Sequence, residues 1–131
     1  MPTANRSHNA SQENGGRVAQ RILQMVACLL ALAVAVLSLV PPWYRPVTGM
    51  PHALEHFAMF FAMGLAFGLG YSTPYLSQLL LLIAFTAAIE IAQLWVPGRH
   101  ARFSDFLVDA LGVAIGVGVG RMQSLFTRKA G

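Results

Sequence analysis

Four apolar stretches, each about 19 residues or longer, run through this chain at 22–40, 51–71, 75–96 and 104–122. Runs of that length reach across the hydrocarbon core of a bilayer. Composition agrees: 56% of the 131 residues are hydrophobic and only 11% are charged, too apolar a balance for an ordinary soluble domain of this size. The sequence therefore predicts an all-α integral membrane protein, a bundle of four transmembrane helices.

The breaks between runs carry their own signals. Residues 1–17 are polar and contain Gly15-Gly16, so they predict a disordered tail ahead of a membrane domain at 18–122. Arg17 and Arg21 precede the first run as they would in a signal peptide, but the run exceeds the usual apolar length of about 7 to 15 residues and predicts a retained helix. Pro41-Pro42 stops it, and Trp43, Tyr44 and Arg45 suit the headgroup layer. Pro51 opens the second run, Thr73 and Pro74 cap and open the third, and Ser104 is the expected cap of the fourth after a break at Pro97-Gly98. Residues 123–131, with Arg128 and Lys129, form a short tail. Cys28 is the only cysteine, which excludes an intramolecular disulfide and a thiolate metal cluster.

The net charge of +4 does not make a nucleic-acid surface, because the nine Lys and Arg residues lie in tails and loops with no basic face interleaved with aromatics. They read instead as topology signals. Four spans place Arg6, Arg17, Arg21, Arg121, Arg128 and Lys129 on one side and Arg45, Arg99 and Arg102 on the other, an asymmetry that predicts both tails in the cytoplasm.

The acids are less easily explained. Of five, only Glu13 lies in a tail; Glu55, Glu90, Asp105 and Asp109 fall within apolar runs. An ionisable group at membrane depth costs roughly 2.5 to 3.5 kcal/mol on insertion scales, so it pairs or it serves a function. The helix order brings the start of run two, the end of run three and the start of run four to one membrane face. That predicts a cluster in which Glu90, His56 and Asp105 are candidate catalytic groups, while Arg99, His100, Arg102 and Gln93 are candidate ligand contacts. Gly64 and Gly68, and Gly112 with Gly116 and Gly120, have the spacing of close helix packing. Helices two and four can meet through them, or the glycines of helix two can serve another neighbour. The glycine stripe permits a homo-oligomer.

The ordered pattern HALEHFAMFFAMGLAFG, then AAIEIAQLWVPGRHARFSDFLVDALGVAIG, resembles the VanZ-like family of small bacterial membrane proteins over residues 20–122. The resemblance points to His56 and Phe57, Glu90 and Gln93, and Arg99 or Arg102 with Asp105 and Gly112. Many relatives carry an Asp-Lys pair where His52 and Ala53 stand here. It implies a bacterial inner-membrane protein of the cell envelope, in a family linked to teicoplanin resistance through an activity that is not defined; no cofactor is expected.

Three classes of function follow. In the first, arginine holds the phosphate of a lipid-linked anionic envelope intermediate while His56 and Glu90 lie below it, with membrane lipids as partners. In the second, His52-Ala53-Leu54-Glu55-His56 is an H-x-x-E-H motif, and His52, His56 and Glu90 hold zinc with Glu55 as base. In the third, the cluster only fixes helix packing in an assembly subunit. Trp43, Trp95 and Phe103 form an interfacial belt in any of them.

Overall fold

The computed structural model describes residues 3–44, 49–98 and 102–129, with side chains from residue 13 to residue 127. Among the described residues the regular elements are all helical: α1 (Thr3–Leu39), a short 3-10 turn (Pro42–Tyr44), α2 (His52–Gly70), α3 (Tyr75–Gln93) and α4 (Phe103–Lys129). Each of the four helices has a segment long and apolar enough to cross a membrane. In lipid the backbone must close its own hydrogen bonds, which makes helix the form such runs take.

The ends differ from expectation in three places. Helix α1 begins at Thr3, so the segment predicted to be a disordered tail at 1–17 is helical where it is described. A helix already nucleated in the membrane extends at little further cost, and Glu13 and Arg17 form an exposed i,i+4 pair at 3.6 Å on this extension. Helix α4 likewise runs past Met122 to Lys129. Ser104 does not cap it: the helix starts at Phe103, the amides of Asp105 and Phe106 donate to the Arg102 carbonyl, and the Ser104 hydroxyl donates to Asp105 at 3.3 Å.

The packing order is α1 against α2, α2 against α4, α4 against α3, with α3 returning to α1. The α2–α4 contact dominates, and its cause is glycine. A Cβ added at Gly64 would stand 2.6 Å from the Val113 carbonyl oxygen, and one at Gly68 2.6 Å from that of Val117. From the other side, Gly112, Gly116 and Gly120 take the backbone of Phe57, Phe61 and Leu65. The two backbones run in the same direction and touch, as small residues four apart allow. The glycines of α2 thus serve α4, and the alternative of another neighbour is set aside.

Phe60, Met63, Val113 and Val117 form the core of this contact, joined by Val34 of α1 and by Leu82 and Ile89 of α3. Leu29, Leu32, Leu80, Leu81, Leu107, Leu111 and similar side chains are exposed around the outside, as suits helices whose solvent is hydrocarbon. At the end holding both chain termini, Gln20 and Gln24 donate to the Gly70 carbonyl at 3.3 and 3.1 Å, and Arg121 donates to the Thr73 carbonyl. These bonds occupy carbonyls that a helix end and a tight turn leave open.

Candidate functional site

The opposite end is formed by the α1–α2 and α3–α4 connections, and the buried ionisable groups collect there. At 1.5 Å per residue, His56 lies roughly 6 Å along α2, Glu90 roughly 4.5 Å from the end of α3, and Asp109 roughly 9 Å into α4. Gly98 helps to close this end. Its φ of 77° is in the left-handed region that glycine enters without strain, and an added Cβ would meet the Trp43 ring at 2.9 Å.

His56 and Asp109 are each 1% exposed, and His56 Nδ1 lies 3.1 Å from both Asp109 carboxylate oxygens. With Asp109 ionised, its carboxylate only accepts, and Nδ1 is the donor of this contact. Nε2 is then left with its lone pair; it is buried and has no partner among the described residues. The His52 ring is tilted against His56 with centroids 4.3 Å apart, and Phe60 stacks with His56 at 6.3 Å. The partner of His56 is thus Asp109, one turn deeper in α4 than Asp105, the aspartate named among the candidate catalytic groups. Asp109 was visible in the sequence as the second acid of a stripe with Gly112. The sequence does not reveal that the glycine crossing brings α2 and α4 close enough to join it to His56.

Glu90 is 7% exposed, and neither of its oxygens makes a hydrogen bond in good geometry among the described residues, although the Arg102 backbone is close by. Asp109, Asp105 and His56 all lie within its electrostatic reach. Gln93, one turn further along the same face of α3, is buried with its amide nitrogen unpartnered. Helices α2, α3 and α4 therefore bring His56, Glu90, Gln93, Asp109 and, at the edge, the half-buried Asp105 to one end of the bundle.

A groove of about 290 Å³ opens between α3 and α4. Its walls are Ala87, Ile91, Leu94, Phe103 and Phe106, with Glu90 and Arg102 as its two charged linings. Leu94 and Phe103 are exposed beside it. The groove therefore faces the lipid-exposed side of the bundle. Glu90 and Arg102 share its wall without forming an ion pair. Arg99 and His100, expected beside Arg102, lie outside the described residues.

Among the described residues no three His, Cys, Asp or Glu side chains come together as a metal-binding group. His52 and His56 lie side by side with tilted rings, but Glu90 is not a third ligand with them; the H-x-x-E-H reading therefore lacks the assembled donor set it requires. Trp43, Trp95 and Phe103 are all exposed at this end of the bundle.

A buried carboxylate without a side-chain partner among the described residues has a consequence for stability. Glu90→Gln removes the charge while keeping the shape, and the variant is expected to be more stable than the parent by about 1 to 3 kcal/mol, because a buried charge with no side-chain counter-ion among the described residues is a net cost. Denaturant titration of the two purified proteins checks this. A marked loss of stability in the variant would mean that the carboxylate holds helices together.

No match is found among curated proteins or among solved structures. The family model described as VanZ/LLP1 matches residues 4–125, which takes in every helix and every residue of the cluster. On that coverage, this four-helix, multi-pass membrane protein belongs to the VanZ/LLP1 family.

Proposed function

We propose that the protein binds a lipid-anchored component of the bacterial cell envelope in the α3–α4 groove, with the two-loop end facing away from the cytoplasm. The observation that carries this reading is the Glu90 carboxylate, without a side-chain partner among the described residues, in the wall of an apolar, laterally open groove whose other charged group is Arg102. An alkyl chain suits the walls, and an arginine fork suits a phosphate. Arg99 and His100 extend the basic rim on this reading. His56, oriented by Asp109 through Nδ1, offers Nε2 as a proton acceptor near the same end, as Gln93 offers an amide. Remodelling of the bound component would use His56 and Glu90 as the acid–base pair, with Asp105 tuning them from the edge.

The alternative that the cluster only fixes packing accounts for His56 and Asp109, which hold each other. It does not account for Glu90, which has no side-chain partner among the described residues and only the Arg102 backbone as a nearby donor. A zinc hydrolase built on His52, His56 and Glu90 lacks support from the geometry.

The test is a pair of single variants in cells and in vitro. Arg102→Ala is expected to fold normally, since Arg102 is exposed, and to lower co-purified phospholipid by roughly 10-fold, the scale of one lost charge-assisted bidentate contact. Glycopeptide susceptibility of cells carrying Glu90→Gln or Arg102→Ala is expected to match that of cells lacking the protein. Full retention of both lipid and phenotype by both variants would rule the reading out.

A further inference from the structure

The proposed lipid site has a charge arrangement that says more about its occupant. Its two charged linings have opposite sign, share one wall and do not pair with each other. Side chains that only stabilised the fold would be expected to close that gap, since an unpaired acid at membrane depth is costly. Glu90 also lies in an acidic neighbourhood: Asp105 and Asp109 are within electrostatic reach, and His56 is already committed to Asp109. An anionic group at the Glu90 end would meet like charge. Glu90 can accept, through two oxygens, only from a donor. Arg102 can only donate.

We propose that the groove receives a zwitterionic lipid head group, its phosphate at Arg102 and a primary ammonium at Glu90. This rests on the lipid-binding reading above and narrows its ligand to an amine-bearing phospholipid. A primary ammonium supplies N–H donors to the carboxylate as well as charge; a quaternary ammonium supplies charge alone and is too wide to approach it as closely. A simple phosphate ester supplies neither. The apolar walls of Ala87, Ile91, Leu94, Phe103 and Phe106 require the chain that a free head group lacks.

The experiment is native mass spectrometry of the full-length protein in detergent, titrated separately with phosphatidylethanolamine, phosphatidylcholine, phosphatidylglycerol and water-soluble phosphoethanolamine. Phosphatidylethanolamine is expected to bind at least 10-fold more tightly than the other two lipids, and phosphoethanolamine not to bind. Glu90→Gln should bring phosphatidylethanolamine down to the level of phosphatidylglycerol without changing the latter. Ala87→Trp, which fills the groove and leaves both charges in place, should weaken all three lipids and guards against a folding defect in the first variant. If phosphatidylglycerol binds as tightly as phosphatidylethanolamine and both depend on Arg102, the ammonium assignment is overturned while lipid binding stands. If no lipid responds to Arg102→Ala, Glu90→Gln or Ala87→Trp, both are overturned.

Discussion

Gly116→Leu is expected to abolish the folded bundle. A Cβ at this position would come within 2.8 Å of the Leu65 amide nitrogen and 3.1 Å of the Gly64 carbonyl carbon, and closer still to the Phe61 carbonyl oxygen. Those atoms are backbone, so no side chain can turn aside and two helices must separate. The cost belongs at or beyond the top of the range for overpacking, about 3 kcal/mol or more. Separation would also break the register that places Asp109 under His56. Gly118, two residues away on the same helix, is the control. Nothing lies within 4 Å of its added Cβ, so Gly118→Leu is expected to leave the bundle folded and to change stability by about 1 kcal/mol or less. Yield of monodisperse protein and denaturant titration of the two variants measure the contrast. Equal behaviour of Gly116→Leu and Gly118→Leu would refute a backbone-to-backbone crossing of α2 and α4.

The second large effect concerns the polar pair that this crossing creates. Asp109→Leu leaves the His56 ring buried with neither nitrogen partnered, and His56→Leu leaves a buried carboxylate with no donor. Breaking a buried pair from one side costs about 3 to 5 kcal/mol, because the remaining group keeps its desolvation penalty. Replacing both partners removes that penalty, so His56→Leu with Asp109→Leu is expected to be more stable than either single variant. Interhelical hydrogen bonds in membranes average only about 0.6 kcal/mol, so the size of the coupling decides between a strong buried dyad and an ordinary polar contact. A coupling energy above about 1.5 kcal/mol in the double-mutant cycle is the expected result. Strict additivity would show that the two side chains do not depend on each other, and the orienting role of Asp109 would fall with it.

Glu90 and the His56–Asp109 pair differ in how their buried polar groups are partnered. Both are buried at similar depth, yet Asp109 has the His56 Nδ1 as a side-chain partner while Glu90 has none among the described residues. Substitution should therefore move stability in opposite directions, downward for the pair and upward for Glu90→Gln. A site that binds a donor-bearing ligand is one of the few places where a fold keeps a polar group unsatisfied.

Much of this was legible from residue order alone. Spans near 52–70 and 75–93 follow from apolar length and from Pro51, Pro74 and Pro97-Gly98, because lipid permits few alternatives to helix and proline permits few positions within it. That acids and histidines would gather at the two-loop end follows from alternation of direction, which puts His56, Glu90 and Asp105 at the same height. Height along a helix is a one-dimensional property, and sequence spacing determines it. Which aspartate meets His56, which helix receives Gly64 and Gly68, and whether Glu90 has a partner depend on rotation about the helix axes and on lateral neighbours. Those are set by where Val113 and Val117 pack on α2 and where Phe103 and Phe106 lean from α4, contacts between residues dozens of positions apart. Composition and period are silent about such contacts, so only the tertiary structure could pair His56 with Asp109 and leave Glu90 open to the groove.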